Sequence, residues 1–259
     1  MTGKGERLIR SIRVTGRIYI GIGGWTFEPW RGVFYPAGLA HKRELAHAAS
    51  VLTSIEVNGT YYSTFKPETF AKWAAETPDG FVFSVKASRF STNRKELAGA
   101  GPSIEKFLGQ GLEELGDKLG PLNWQFMATK KFDPVDFEAF LKLLPAELKG
   151  RPLRHALEVR HASFEAPEFD EMAGRYGCAI VRARGGGFPE IDQAGAGFTY
   201  ARVMEAREDL EEGYEAGELD ALADKAKIWA ERGDVFLYFI SGAKVRNPAA
   251  AMSLIRRLG

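Results

Sequence analysis

The stretch Phe81-Val82-Phe83-Ser84-Val85-Lys86 sets Phe83 and Val85 against Ser84 and Lys86, a period of two. Segments of helical period lie on either side of it. Glu68–Glu76 follows Pro67 and ends before Thr77-Pro78. Ser103–Lys118 starts with Ser-x-x-Lys rather than a full capping box and stops at Gly120-Pro121. A short alternating run between two helical segments predicts a strand joined to its neighbours by crossover helices. The pattern recurs along the chain. Further strands are expected at Arg17–Gly23, Leu52–Asn58, Leu122–Met127, His155–Arg160, Cys178–Arg182, Phe198–Met204 and Val235–Ile240. Further helices are expected at Leu219–Glu231, Pro248–Leu258 and Asp133–Leu144, the last with Pro134 at its first position and Pro145 just past its end.

Eight strands alternating with helices over 259 residues predict an α/β fold, a single (β/α)8 TIM-type barrel rather than an open sheet. The weak unit is the sixth. Arg184–Gly197 (RGGGFPEIDQAGAG) is too rich in glycine for a regular helix, so the helix between strands six and seven is expected to be degenerate or replaced by a loop. Gly185-Gly186-Gly187 reads either as a backbone anion nest or as a flexible connection. No linker divides the chain, which is read as one domain over 17–259 preceded by an arm at 1–16.

Composition narrows the classes of function. With 35 basic and 34 acidic side chains the net charge is +1, which argues against attachment to nucleic acid or an anionic membrane by bulk charge. The one cysteine, Cys178, supplies neither a disulfide nor a multi-thiolate metal site, and four histidines leave little for a multi-zinc centre; no metal site is expected. There is no apolar run long enough to span a bilayer and no signal-peptide pattern, so a cytoplasmic protein is expected. No cofactor is legible.

Strand parity supplies the candidate site. Both faces of a barrel strand are covered, so the polar set of each strand is expected to face the interior. Its charged members, Glu56, Lys86, Glu158, Arg160, Arg182 and Arg202, fall toward the C-terminal strand ends, where barrel enzymes carry their active sites. Interior ion pairing is the alternative reading. The basic excess, extended by Arg89, Arg184, Lys244 and Arg246, suits a phosphate or carboxylate. Glu56 and Glu158 are the paired-carboxylate candidates for acid–base chemistry, and His161 the candidate for proton transfer near neutral pH. Asn58 ends the second strand among the polar set. Trp25, Trp30 and Tyr62, in aromatic segments that follow the first two strands, are candidates for ligand contact. Trp30-Arg31 places an anchor beside a cation; packing of a long loop is the alternative.

Several motifs together resemble the YecE-like family, also called domain of unknown function 72. They are Gly24–Pro36 (GWTFEPWRGVFYP), Glu56–Tyr62 (EVNGTYY), Phe83–Phe90 (FSVKASRF), Gly116–Pro121 (GDKLGP), Glu158–Phe164 (EVRHASF) and Tyr200–Arg202. The resemblance runs in order from about Ile18 to Tyr238 and implies a (β/α)8 barrel, but it brings no established reaction. The chain departs from the family pattern at four places. Ser91-Thr92-Asn93 stands where a Thr-His follows Arg-Phe, and Gln125-Phe126-Met127-Ala128 stands for Gln-Leu-Pro-Pro. Arg202-Val203-Met204-Glu205 replaces Arg-x-His-Gly, and Ile240-Ser241-Gly242 replaces an Asn-Asn-Asp-like cluster.

Three functions remain open on the sequence. The first is binding and processing of a small anionic metabolite, phosphorylated or sugar-like, with Lys86, Arg160 and Arg202 as the clamp. The second is a nucleic-acid-binding or -processing barrel with Trp25, Trp30, Tyr61 and Tyr62 stacking on bases. The third is a non-catalytic binding or scaffold protein, suggested by the lost rim histidines.

Overall fold

The computed structural model describes residues 16–192 and 196–259. The expected arm at 1–16 therefore lies, apart from Gly16, outside the described residues. In chain order the strands are β1 (Ile18–Gly23), β2 (Ser54–Val57), β3 (Val82–Lys86), β4 (Leu119–Gln125), β5 (Glu147–Leu148), β6 (Arg151–Pro152), β7 (His155–Glu158), β8 (Ala179–Ile180), β9 (Arg182–Arg184), β10 (Phe198–Val203) and β11 (Asp234–Phe239). The helices are α1 (Glu44–Val51), α2 (Pro67–Ala75), α3 (Arg89–Thr92), α4 (Gly101–Leu108), α5 (Pro134–Leu141), α6 (Pro167–Arg175), α7 (Ala216–Ala230) and α8 (Asn247–Leu258).

Apart from the two-residue antiparallel β5–β6 pair, all strands join one parallel sheet in the order β8-β7-β4-β3-β2-β1-β11-β10-β9. Its two ends, β8 and β9, are consecutive in the chain and separated only by Val181. The segment 179–184 therefore bonds to β7 with its first half and to β10 with its second, and Val181 N donates to Leu157 O at 3.0 Å. This sixth pass closes the sheet. Eight passes with helices outside make an α/β barrel of the TIM type, as the alternation predicts.

The described residues between β9 and β10 form no helix. Gly185, Gly186 and Gly187 take φ values of +85°, +77° and +70°, a left-handed run that only glycine enters without strain. The alternation of right- and left-handed residues that makes an anion nest is absent, so the run serves as a connection. Two other expectations need correcting. The segment expected as one helix over Ser103–Lys118 is split into α4 and a 3-10 stretch, Leu112–Lys118, because Gly111 (φ +106°) and Gly116 (φ +57°) leave the helical region. Helices α1 and α6 were not expected. Each is only eight or nine residues long, with few large apolar residues to mark a buried stripe.

Two hydrophobic clusters flank the sheet. The outer one packs Ile20, Ile55, Phe83, Trp124, Leu157 and Leu237 under the helices. The inner one contains Val82, Ala179, Val181, Ala183, Tyr200, Phe236 and Tyr238. On β1 the inner positions beyond Tyr19 are Gly21 and Gly23. A Cβ on Gly21 would stand 1.9 Å from Ser54 O, so any side chain there would push β1 away from β2.

Candidate functional site

The interior turns from apolar to polar toward the C-terminal strand ends. Above Phe236 and Val82 lie two Ser–Tyr pairs, Ser54 Oγ with Tyr238 OH at 2.8 Å and Ser84 Oγ with Tyr200 OH at 2.7 Å. Burial is the main cause that pushes both phenols well above their ordinary range, so they stay neutral donors.

One step higher lies an ion cluster. Parallel register sets Gln125 beside Glu158 and Asn123 beside Lys86, all on the inner face. Arg202 bridges the two carboxylates, donating from Nη1 to Glu158 Oε1 (2.7 Å) and from Nη2 to Glu56 Oε1 (3.1 Å). Tyr200 OH donates to Glu56 Oε2 at 2.6 Å, and Asn123 Nδ2 reaches Glu158 Oε2 at 3.1 Å and Glu56 Oε2 at 3.4 Å. Arg160 adds Nε (3.0 Å) and Nη2 (2.7 Å) to Glu158 Oε1, and its Nη2 also donates to Gln125 Oε1 at 2.8 Å. All four carboxylate oxygens therefore accept hydrogen bonds, and both glutamates are fully buried. Burial pushes the Glu158 carboxyl up, but Arg202, Arg160 and Lys86 outweigh it and hold the group at about 2. Burial pulls the Arg202 guanidinium down, and Glu158 and Glu56 reverse that, so it stays charged.

Lys86 differs from these. Its side chain is largely buried, yet its ammonium makes no hydrogen bond or ion pair within 4 Å among the described residues; it sits at the cavity floor, 4.5 Å from the centre of the Tyr61 ring. Burial first, then the charge of Arg202, pulls its pKa down to about 8 against the opposing pull of Glu56 and Glu158. The charge count explains the difference. Glu56 and Glu158 balance Arg160 and Arg202, so the proton on Lys86 is the unbalanced charge.

Over this floor opens a cavity of about 730 Å³. Lys86, Arg160, Arg202 and Lys244 are its charged lining, and no carboxylate lines it among the described residues. Trp25, Asn58 and Tyr62 form part of the wall, with Gln125, Ser241 and Asn247. Trp25 is held edge-on to Trp73 at 5.0 Å, and Tyr62 stands largely exposed at the rim. A Cβ on Gly23 would meet Ile240 Cδ1 at 2.9 Å and Asn58 Nδ2 at 3.0 Å, so both side-chain ends would have to shift to admit it. Ser241 adopts φ +65° at the rim, a backbone strain on the order of 1 kcal/mol that non-glycine residues rarely carry. Asn247 Oδ1 is buried without a partner among the described residues.

Other residues singled out in the sequence sit elsewhere. Arg182 faces outward, because Val181 and Ala183 take the inner positions; its guanidinium lies 5.2 Å from the Trp229 ring centre and pairs with Asp192. Trp30 is fully buried, with its Nε1 donating to Lys244 O at 2.9 Å. Arg31 bonds Glu44 and His41 away from the cavity. His161 caps the following 3-10 turn, its Nδ1 accepting from Ser163 N at 3.1 Å, and it does not line the cavity. Tyr61 is buried beneath Lys86, its hydroxyl accepting from Asn93 Nδ2 at 3.0 Å. Met204 and Ile240, at two of the departures from the family pattern, are apolar and belong to the inner cluster.

Asn123 and Gln125 are contributors that the sequence reading does not single out. Parity signals both, since Leu122, Trp124 and Phe126 alternate with them, but neutral side chains carry no charge signal. Lys244, expected as part of the basic mouth, lines the cavity from beyond β11. Its Nζ rests 4.4 Å from the Phe27 ring centre, and burial lowers its pKa. Among the described residues no three His, Cys, Asp or Glu side chains are grouped to hold a metal, and no helix is long and apolar enough to cross a membrane.

Comparison with known proteins agrees with the fold and the motifs. The UPF0759 protein YecE of Escherichia coli K12 is 29% identical over 158 residues, covering 60% of this chain and 53% of that protein. The UPF0759 protein YunF of Bacillus subtilis is 26% identical over 167 residues, covering 60% and 55%. The matches thus span about half the length of these relatives. The crystal structure of a DUF72 family protein from Thermotoga maritima superposes with a TM-score of 0.73 at 24% identity, covering 92% of this chain and 97% of that one. One from Enterococcus faecalis gives 0.71 at 18%, covering 93% and 95%. The sequence profile described as "Protein of unknown function DUF72" matches residues 19–259, and the chain accordingly belongs to the DUF72 family.

Proposed function

We propose that this barrel binds, and acts on, a small anionic metabolite, phosphorylated or sugar-like, at its C-terminal mouth. The observation that carries this reading is the sign of the lining: every charged side chain on the cavity wall among the described residues is a cation, and the two carboxylates lie beneath them, fully bonded. An anion placed there would meet Lys86, Arg160 and Lys244 without facing a bare carboxylate. Arg202, Glu56 and Glu158 act in this reading as positioning groups, since a guanidinium held by two carboxylates fixes the height and charge of the floor. The volume suits a metabolite, and Trp25 with Tyr62 offers aromatic faces to a sugar-like body.

Titration calorimetry with inorganic phosphate and a panel of sugar phosphates and sugar acids tests the reading. A ligand at 100 times its Kd raises stability by about 2.7 kcal/mol, so thermal shift gives an independent readout. Binding that is weakened at least tenfold in Arg160→Ala is expected. An absence of heat and of thermal shift across the panel at low salt would overturn the reading.

A further inference from the structure

We infer that the Lys86 amine is a nucleophile that forms a Schiff base with a small carbonyl compound bearing a phosphate or carboxylate. The inference rests on the anion reading above for where the charged end of the compound lies, and it adds the chemistry of the other end.

The geometry separates Lys86 from the other cations on the wall. Arg160 and Arg202 are tied by hydrogen bonds to Glu158, Glu56 and Gln125, and cannot lose a proton in any case. Lys244 lies over the Phe27 and Trp30 rings above the floor. Lys86 is the amine among the four that comes from an inner strand position, and its Nζ has no acceptor among the described residues. A lysine that is to stay charged inside a protein is normally given a carboxylate or carbonyl partner. Here the two nearby carboxylates, Glu56 from β2 and Glu158 from β7, are already neutralised by Arg202 from β10 and Arg160 beyond β7. The face of Tyr61 is the remaining neighbour. The surroundings therefore favour release of the proton, in agreement with a pKa lowered to about 8.

The step balances without a further reactant. Neutral Nζ attacks the carbonyl carbon, a C–N bond forms, and the carbonyl oxygen takes a proton to give a carbinolamine. The C–O bond then breaks, the oxygen leaves as water carrying both amine hydrogens, and a solvent proton on the imine nitrogen gives the iminium. Arg160 and Lys244 hold the anionic substituent while this occurs.

The test is reductive trapping on the intact chain. The protein is incubated with pyruvate, dihydroxyacetone phosphate or uncharged acetone in the presence of sodium cyanoborohydride, whose hydride reduces the iminium to a secondary amine. Peptide mass mapping then locates the label, which for pyruvate adds the mass of pyruvic acid less one oxygen. At pH 7.5 an amine with a pKa about 8 has a neutral fraction on the order of 100-fold larger than an ordinary lysine near 10.4, so the label is expected on Lys86 ahead of surface lysines. Lys86→Arg should lose it. The wild type alone gives a second readout that needs no variant: the preference for Lys86 should shrink as pH rises toward about 10, where surface amines also lose their proton. Equal labelling of surface lysines at pH 7.5, or undiminished labelling in Lys86→Arg, would overturn the inference. Phosphate binding with no label on Lys86 would remove the nucleophile and leave the anion reading standing. Labelling by acetone equal to that by pyruvate would refute the anionic substrate and leave the nucleophile.

Discussion

The two faces of the same parallel strands are stabilised in opposite ways. Outside, between β4, β7 and helices α5 and α6, six phenylalanines (126, 132, 137, 140, 164 and 169) form a mutual cluster, with Phe164 and Phe169 at 4.9 Å and Phe126 and Phe137 at 5.0 Å. Inside, one residue along the same strands, Asn123, Gln125 and Glu158 join Glu56, Arg160, Arg202 and Tyr200 in a hydrogen-bonded ion cluster. The outer face depends on area removed from water and on shape, and its contributions are many and small. The inner face depends on charge balance, so that loss of one member leaves others buried and unpaired. A barrel mouth built in the second way costs stability unless it is fully connected. Lys86 makes no hydrogen bond to the cluster, and Arg202 Nε and Asn123 Oδ1 within it are buried without a partner among the described residues.

The largest effect should come from breaking the inner balance. Arg202→Met is expected to cost about 3–5 kcal/mol in urea unfolding, because Glu56 and Glu158 would then face each other buried. Adding Glu56→Gln and Glu158→Gln should recover most of that loss. A triple variant no better than the single would show that shape, as on the outer face, governs the interior too.

Acid should expose the same difference. Glu158 has a folded value of about 2 against an ordinary 4.5, so its contribution is complete above 4.5 and is lost as pH falls toward 2. The loss amounts to about 2–3 kcal/mol for this one group. Stability measured from pH 5 to pH 2 should fall less steeply in Glu158→Gln than in the wild type, while Phe137→Ala should lower the whole curve without changing its slope.

Lys86→Met should act in the other direction. Its folded pKa is depressed, so the unfavourable charge is fully present below about 8 and is relieved as pH rises through about 8 toward 10.4. The variant is expected to be more stable than the wild type at pH 7 by about 3 kcal/mol, with the gain vanishing above pH 10. Phosphate affinity should drop in the same variant. A destabilised Lys86→Met would place the lysine in the structural network instead.

The smallest effect should be at Arg182. It lies on the outer face over Trp229, so Arg182→Ala should leave phosphate affinity within about twofold of wild type, against a tenfold or greater loss for Arg160→Ala. Equal losses in calorimetry would reverse the assignment of faces at β9.

How far the site could be read from sequence depended on the contrast between the two faces of each strand. In β2, β3, β7 and β10 large apolar residues alternate with polar ones, and Glu56, Lys86, Glu158 and Arg202 do meet inside the barrel. In the sixth pass, Cys178-Ala179-Ile180-Val181-Arg182-Ala183-Arg184, both alternating sets begin apolar. Nothing local says which set faces in. Packing decided it, since the small Ala179 and Ala183 fit beside Tyr200 and Arg202 in the crowded interior, and the larger Ile180 and Arg182 were left to the helix side.

The order of the elements, the (β/α)8 class, the lack of a helix among the described residues between β9 and β10, and the basic character of the mouth were determined by the sequence itself. Each follows from periodicity, glycine content or side-chain parity, which are short-range properties of a chain. Only the tertiary structure decided that Arg202 bridges Glu56 and Glu158 beneath the cavity, that His161 caps a turn, that Trp30 is core, and that Lys244 reaches the cavity. Those roles depend on which side chains from distant strands share a hydrogen bond. Arg202 to Glu56 is a contact across 146 positions of the chain, and no local pattern encodes it.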